Sequence, residues 1–317
     1  MPETTRRTFF RIAGMGLGAA WSAAAAGSAP RANLSRQRKP ATPRFELGLA
    51  SRTFRAFGLD DALAMTRKLG LKRISLSPAH LPMDAGPEEL RAAAAKVKAA
   101  GLELYAAGVV RMKAGAEVRR AFEYAKTAGL GMIIASPGHD LLPLVHQLAG
   151  EYDIGVAIHN DGPGDKLYPA AADAYERILG LDRRIGLCLD VGQTRRLGID
   201  PALDAVRFIG RLFDVYLSDV TEDTENGEPC ELGTGAVDLP FFLRSLVRMN
   251  YSGSVTLDYG KDEEDPVPGV TASLAYLRKL LGGQSPVSPW DTGNCPPLIR
   301  LGPRLAASRA STSAGAG

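Results

Sequence analysis

The residues with the clearest chemical potential in this sequence are polar side chains that directly follow short apolar runs. Two of these positions carry an imidazole, His80 and His159, and two carry a carboxylate, Asp190 and Asp258. Imidazoles and carboxylates exchange protons with bound substrates, and both are ligands for divalent metal ions. A charged group placed after a buried run is costly unless it is paired, solvated or metal-bound. These positions are therefore candidates for a site of proton transfer or metal binding.

The same residues also have a structural interpretation. An aspartate that ends an apolar run can cap a helix or accept a buried hydrogen bond, and His80 and His159 can be hydrogen-bonded histidines without a catalytic role. A functional site is favoured because groups of this kind follow several different runs. A fold that gathers the ends of those runs at one face also gathers their side chains.

The apolar runs that must position these groups are typical of buried parallel strands, because they are hydrophobic almost throughout. The predicted strands are Phe45–Leu49, Arg73–Leu76, Leu104–Val109, Met132–Ala135, Gly155–Ile158, Ile185–Leu189, Leu212–Leu217 and Ser254–Leu257. Helical patterns alternate with them, including Leu59–Leu69, Pro87–Ala100, Ala114–Ala128, Asp140–Glu151 and Leu239–Met249. Three glycines, Gly70, Gly101 and Gly129, are expected to end helices in the left-handed conformation.

Eight strand–helix units in residues 45–282 predict an α/β protein with a single (β/α)8 TIM barrel. An open, doubly wound sheet is the competing architecture, but no glycine-rich phosphate loop follows the first predicted strand. In a closed barrel the carboxyl ends of the strands face one shared pocket. The polar residues after the strands are then expected to meet there.

The two ends of the chain are predicted to lie outside the barrel. Residues 1–29 combine Arg6-Arg7, a mild apolar run from Ile12 to Ala26 and small residues after it, which resembles a twin-arginine signal peptide. This layout predicts periplasmic or exported localisation and the twin-arginine export machinery as a transient partner. A membrane anchor or a chance arginine pair is the alternative. Residues 30–44 are expected to form a flexible leader and 283–317 a disordered tail, with no stable membrane span in the mature chain.

The charge is unevenly distributed along the chain, whose formal net charge is +3 from 38 Lys and Arg against 35 Asp and Glu. Residues 1–44 hold eight basic and one acidic residue and 283–317 hold three and one, which leaves 27 basic and 33 acidic residues in 45–282. A nucleic-acid-binding domain has a basic footprint, and this predicted barrel is acidic. We therefore expect no nucleic-acid partner.

Three cysteines in the chain exclude a disulfide scaffold. Cys188 lies inside a predicted strand and is expected to be a small buried side chain. A bridge between Cys230 and Cys295 is conceivable in an oxidising compartment, but the sequence does not establish it.

Several motifs in the same order along 46–281 carry a resemblance to a known family. They are Ile158–Asn160, Gly186–Gly192, Arg196–Pro201, Gly233–Leu239 and Tyr251–Gly253. The chain thereby resembles the sugar phosphate isomerase/epimerase family, also called xylose isomerase-like barrels. Members of this family commonly bind one divalent metal through residues of strands five to eight. The metal polarises a sugar carbonyl while carboxylates move a proton between adjacent carbons.

The resemblance implies a specific site in this chain. The metal, Mn²⁺ or Mg²⁺, would be held by His159, Asp190 and Asp258, while Tyr216 stands where the family usually has a histidine and Asp258 where it usually has a glutamate. A phenol with a pKa of about 10 is a poor metal ligand at neutral pH. The predicted catalytic residues are Asp190, Asp258 and His80. The predicted substrate-binding residues are Asn160, Gln193, Arg196, Tyr216 and Asp219.

Three functions follow from these patterns. The resemblance favours an exported isomerase or epimerase that acts on a sugar or keto-sugar by proton transfer next to a carbonyl, with or without a divalent metal. The departures at Tyr216, Gln193 and Asp258 favour the alternative of a sugar-binding barrel that has lost its metal site and its activity. Cleavage of DNA at abasic sites, known in a distant branch, requires a histidine-rich metal set, and this chain has four histidines in all.

Overall fold

Eight parallel strands close into a barrel in the computed structural model, which describes residues 43–282. The barrel strands are β1 (Glu46–Ala50), β2 (Arg73–Leu76), β3 (Glu103–Met112), β4 (Met132–Pro137), β5 (Gly155–His159), β6 (Ile185–Asp190), β7 (Leu212–Leu217) and β10 (Ser254–Leu257). Neighbours in sequence are neighbours in the barrel, and β10 closes it by pairing with both β7 and β1. The predicted (β/α)8 barrel is therefore confirmed.

Helices connect the strands on the outside of the barrel. They are α1 (Leu59–Lys68), α2 (Pro87–Ala99), α3 (Gly115–Ala128), α4 (Leu142–Tyr152), α5 (Ala171–Ile178), α6 (Val191–Arg196), α7 (Pro201–Phe208), α8 (Leu239–Arg248) and α9 (Val267–Leu281), with short 3-10 turns at Ser51–Phe54, His139–Leu141 and Ile209–Arg211. Two connections depart from one helix per strand. Both α6 and α7 lie between β6 and β7, and a small antiparallel hairpin of β8 (Asp219–Val220) and β9 (Pro229–Cys230) follows β7. Within residues 43–282 no helix combines the length and apolar character needed to cross a membrane.

Local sequence signals set the ends of several helices as predicted. Gly70, Gly101 and Gly129 all have positive φ, at 75°, 73° and 74°, and lie one or two residues after the ends of α1, α2 and α3. Glycine adopts this left-handed conformation without the steric penalty that a Cβ would bring. Pro87 begins α2, and Glu88 and Glu89 lie in its first turn, where carboxylates favour the positive end of the helix dipole.

Two apolar cores hold the barrel together. The larger one lies between strands and helices and contains side chains such as Phe122, Phe208 and Phe242, all nearly inaccessible to solvent. The smaller one fills the inside of the barrel with Ala50, Tyr105, Ala106, Ile134, Ala157, Cys188 and Tyr216. The buried position of Cys188 agrees with its prediction. Cys230 is also buried, in β9, whereas Cys295 lies outside the described residues.

An aspartate lies inside the barrel among these apolar side chains. Asp214, in the middle of β7, accepts hydrogen bonds from the Tyr105 hydroxyl at 2.8 Å, the Thr256 hydroxyl at 3.2 Å and the backbone N–H of Val215 at 2.8 Å. Because a buried carboxylate needs such partners, these bonds explain how β7 tolerates an aspartate. We call Tyr105, Asp214 and Thr256 the interior cluster.

Candidate active site at the carboxyl-terminal face of the barrel

His159, the last residue of β5, lies between two carboxylates. Its Nδ1 is 3.1 Å from Asp161 Oδ1, and its Nε2 is 3.4 Å from Asp190 Oδ2. Burial alone would lower the pKa of His159, but the hydrogen bond that the ring donates to Asp161 and the negative charges of Asp161 and Asp190 outweigh it and raise the pKa to about 9. The ring is therefore cationic at neutral pH, held by one close carboxylate and one more distant one.

Asp190 ends β6 and is held by several hydrogen bonds. Its Oδ1 accepts the backbone N–H of Gln193 at 3.0 Å, which caps α6, and the hydroxyl of Ser218 at 2.9 Å. Ser218 in turn accepts the backbone N–H of Gly192 at 3.0 Å. These bonds fix the carboxylate so that its second oxygen, Oδ2, faces His159.

Asp258 directly follows β10 and pairs with an arginine that follows the neighbouring strand, β1. Arg52, in the 3-10 turn after β1, places Nη1 2.8 Å from Asp258 Oδ2. The second carboxylate oxygen, Oδ1, is buried and has no hydrogen-bond partner among the described residues. Burial raises the pKa of Asp258, the Arg52 charge opposes that rise, and Asp190 adds to it. Asp258 therefore has one oxygen paired with a guanidinium and one buried oxygen without a hydrogen-bond partner.

Asp161 connects the site to β3. Its Oδ1 is also 3.1 Å from Nη2 of Arg111, near the end of β3. Burial acts to raise the pKa of Asp161, but His159 and Arg111 outweigh it and hold the pKa below its usual value. We call Arg52, His159, Asp161, Asp190 and Asp258 the face cluster; it brings together side chains that follow β1, β5, β6 and β10.

His80, predicted as a catalytic residue, has a different setting. Its Nε2 lies 3.1 Å from the carbonyl oxygen of Phe54, and burial lowers the pKa of the ring. No hydrogen bond or ion pair joins His80 to the face cluster within the described part of the chain. The ring of His80 is instead hydrogen-bonded to the 3-10 turn that follows β1.

Three of the predicted substrate-binding residues make hydrogen bonds to other parts of the protein. Asn160 accepts the backbone N–H of Asp190 at 2.9 Å and donates to the Thr194 hydroxyl at 3.2 Å, which joins the end of β5 to α6. Gln193 accepts a hydrogen bond from Arg196 at 3.1 Å. Arg196 also donates to the carbonyl oxygen of Glu225, in the acidic loop between β8 and β9.

Asp219 and Tyr216, the other two predicted substrate-binding residues, are buried. The Asp219 carboxylate accepts the backbone N–H groups of Gly233 at 2.9 Å, Gly235 at 3.2 Å and Val237 at 3.1 Å, so it organises the loop before α8. The Tyr216 hydroxyl is 3.0 Å from Ser75 Oγ, inside the barrel. The Tyr216 ring packs edge-on against His159, with ring centroids 5.4 Å apart.

The donor atoms do not form the metal site that the resemblance implies. Among the described residues, no group of three or more His, Cys, Asp or Glu side chains is arranged to hold a metal ion. Asp190 Oδ1 is already hydrogen-bonded twice, Asp258 Oδ2 is paired with a guanidinium, and burial raises the pKa of Tyr216 well above its ordinary value, so its phenol stays neutral. The residues present therefore do not fit a divalent metal.

Arg52 and Arg111 are members of this region that the sequence analysis missed. Both follow or end strands, as do the residues that were identified, and Arg52 comes two residues after the end of β1. The same rule of polar residues after strands, applied to β1 and β3, would have found them.

Comparison with known proteins places the chain in a family. A family model described as "Xylose isomerase-like TIM barrel" matches residues 45–280. No curated protein sequence matches this chain.

Solved structures share the fold at low sequence identity. A xylose isomerase domain protein from Planctomyces limnophilus is 16% identical, with 75% of this chain and 97% of that chain covered and a TM-score of 0.60. The 3-keto-D-glucoside 4-epimerase from E. coli is 17% identical, with 74% and 99% covered and a TM-score of 0.61. An L-ribulose 3-epimerase is 18% identical, with 75% and 95% covered and a TM-score of 0.61.

Proposed function

The chain belongs to the xylose isomerase-like TIM-barrel family, and from this premise we propose that it is an enzyme that isomerises or epimerises a sugar or keto-sugar. The reaction is proton transfer at a carbon next to a carbonyl. The observation that supports it is Asp258, whose Oδ1 is buried, has no partner among residues 43–282 and lies in the face cluster with a cationic imidazole. Structural neighbours named as epimerases of L-ribulose and of 3-keto-D-glucoside make this class of substrate the first to examine.

Asp258 is the proposed base of this reaction. Its Oδ1 takes the proton from the carbon next to the carbonyl, the electrons of the broken C–H bond form a C=C bond, and the carbonyl oxygen becomes an enediolate oxygen. A proton taken from solvent on the other face of the same carbon gives an epimer. Return of the proton from Asp258 to the adjacent carbon, with a proton moved from one sugar oxygen to the other, gives an isomer. Burial helps, because it raises the pKa of Asp258 and makes the carboxylate a stronger base than an exposed one.

His159 is the proposed proton donor toward the sugar oxygens. Its Nδ1 is held by Asp161, whereas the 3.4 Å between Nε2 and Asp190 Oδ2 is longer than an ordinary N–H···O hydrogen bond. The N–H at Nε2 has no hydrogen-bond partner among the described residues, so it can donate to a hydroxyl or carbonyl oxygen of the ligand. In this assignment Asp190 positions His159. The catalytic histidine is then His159, whereas the sequence analysis predicted His80.

The test is exchange of the carbon-bound proton in D₂O, followed by NMR, across a panel of L-ribulose, D-tagatose and 3-keto-D-glucoside. We expect exchange with at least one sugar, and we expect Asp258→Asn to lower its rate by about 100-fold or more, as for loss of a general base. Asp153→Asn is the matched control. Asp153 is highly exposed at the end of α4 with φ 56°, a conformation that asparagine tolerates well.

Exchange at the wild-type rate in Asp258→Asn would show that the base is another residue. A second candidate function, binding of a sugar without catalysis, is favoured by the Arg52–Asp258 ion pair, which engages one oxygen of the proposed base. Calorimetric binding of a panel sugar without any exchange would select that candidate.

We also propose that the protein is exported by the twin-arginine route. The support is the sequence of residues 1–29, which lies outside the described residues. Replacement of Arg6-Arg7 by Lys-Lys is expected to retain the protein in the cytoplasm of a bacterial host, as measured by fractionation. Appearance of that variant in the periplasm at the normal level would contradict the assignment.

A further inference from the structure

We propose that the Arg52 guanidinium takes the place of the divalent metal in this barrel, so that an organic cation of the protein itself polarises the sugar carbonyl. The inference rests on the proposed function for the reaction, but the position of the cation is tested separately below. It gives Arg52, which follows β1, the role that the family resemblance assigns to a metal bound at the ends of the later strands.

The position of Arg52 supports this replacement. Its Nη1 lies 2.8 Å from Oδ2 of Asp258, one of the three predicted metal ligands. Asp190, a second predicted ligand, is close enough for its charge to stabilise the protonated guanidinium as well. A positive group of the protein therefore lies among the carboxylates that would otherwise gather around a metal ion.

The same contacts explain why the metal donors do not assemble. A divalent ion at Asp258 would have to displace the guanidinium or lie beside it, and like charges at such a distance repel strongly in a partly buried site. Two of the carboxylates in the face cluster are instead paired with arginines of the protein, Asp258 with Arg52 and Asp161 with Arg111.

Guanidinium chemistry suits the task proposed for it. The group is planar, remains protonated and carries five N–H donors. Among the described residues only one of these donors, at Nη1, has a hydrogen-bond partner, and the Arg52 side chain is 52% exposed, so other N–H groups can reach a ligand. As Asp258 removes the proton next to the carbonyl, negative charge builds on the carbonyl oxygen, and an N–H of Arg52 stabilises it. The ligand must therefore present a carbonyl oxygen beside the Arg52–Asp258 pair.

The test measures Mn²⁺ binding to the full chain by the electron paramagnetic resonance signal of free Mn²⁺. Wild type and Arg52→Lys, which both keep the cation, are expected to bind Mn²⁺ weakly or not at all. Arg52→Gln removes the positive charge and is expected to bind Mn²⁺ at least about tenfold more tightly, because the Asp258 carboxylate loses its only paired cation among the described residues. Arg184→Gln is the matched control, since Arg184 is a similarly exposed arginine that pairs with Asp153 and Asp182 away from the face cluster.

The proposal is overturned if Arg52→Gln binds Mn²⁺ no more tightly than wild type, or if wild type already binds one Mn²⁺ tightly. The double variant Arg52→Gln/Asp258→Asn must lose the gained affinity, which locates the ion. If Arg52→Gln does not fold, Arg52→Met serves as the second variant. Absence of sugar exchange in the wild type and in every variant would contradict the proposed function, but it would not affect the conclusion from Mn²⁺ binding. Exchange that requires added Mn²⁺ in wild type would confirm the function and overturn the role of Arg52.

Discussion

The barrel buries Asp214 and Asp258 in two different surroundings, and their carboxylates are bonded differently. In the interior cluster, Asp214 has a hydrogen-bond donor on each of its oxygens, from Tyr105, Thr256 and the backbone of Val215. In the face cluster, Asp258 has one oxygen paired with Arg52 and the other without a partner. The same fold thus satisfies one buried carboxylate fully and leaves the other incompletely bonded.

This difference distinguishes a buried carboxylate with a structural role from one with a functional role. Buried polar atoms in proteins are nearly always hydrogen-bonded, and an unpaired one lowers stability. Since this barrel can surround an aspartate with donors, the open oxygen of Asp258 is a cost that a ligand can offset when it binds. Functional sites often carry such a cost because their groups are arranged for the substrate and not for the empty protein.

The pKa shifts in the two clusters have different causes. Burial raises the pKa of Asp214 to about 7, and the hydrogen bonds from Tyr105 and Thr256 oppose this rise without cancelling it. In the face cluster, carboxylates instead raise the pKa of His159 to about 9 against the effect of burial. The interior cluster therefore tends to lose a charge, whereas the face cluster keeps charges of both signs near neutral pH.

The largest effect expected from this comparison is a dependence of stability on pH that comes from Asp214. Below its ordinary pKa of 3.8 the carboxyl is protonated in the folded and unfolded states alike, so its contribution to stability is complete there. As the pH rises from about 4 to about 7, the unfolded chain releases this proton and the folded protein retains it, so stability is lost. The loss is on the order of a few kcal/mol, because each pKa unit corresponds to about 1.4 kcal/mol.

Asp214→Asn isolates this contribution, because asparagine does not titrate and the Tyr105 and Thr256 hydroxyls can reorient toward its amide. Urea unfolding of wild type and variant at pH 4 and pH 7 measures it. We expect the wild type to lose more stability over this range than Asp214→Asn, and Asp153→Asn to behave as wild type. Equal losses in wild type and Asp214→Asn would show that Asp214 is ionised at low pH and that the interior cluster is as charged as the face cluster.

Much of the fold was predictable because its signals are local. The run Leu212–Leu217, apolar except for Asp214, predicted β7, and Gly70 predicted the end of α1. The meeting of His159 with Asp190 was also predictable, because both end neighbouring strands of a parallel barrel, and topology alone brings such residues to one face.

The partners of polar side chains were not predictable, since they come from distant parts of the chain. Asp214 looked like part of an apolar strand, and its partner Tyr105 lies 109 residues earlier. Asp219 looked like a ligand-binding residue after β7, but backbone N–H groups of the loop before α8 surround it. Residue type and position show where a polar group lies along a strand. They do not show which hydrogen bonds it makes.

Tyr216 offers the smallest and most discriminating prediction, because it lies between the two clusters. Its ring packs against His159 of the face cluster, while its hydroxyl bonds to the buried Ser75 inside the barrel. Since the ring stays in Tyr216→Phe and only the hydroxyl is lost, we expect a loss of about 1 kcal/mol in stability, as for one buried hydrogen bond. Sugar exchange and Mn²⁺ binding should remain at wild-type levels. A tenfold or greater fall in the exchange rate, with unchanged stability in urea, would show that the Tyr216 hydroxyl contacts the ligand. Tyr216 would then belong to the face cluster and not to the barrel interior.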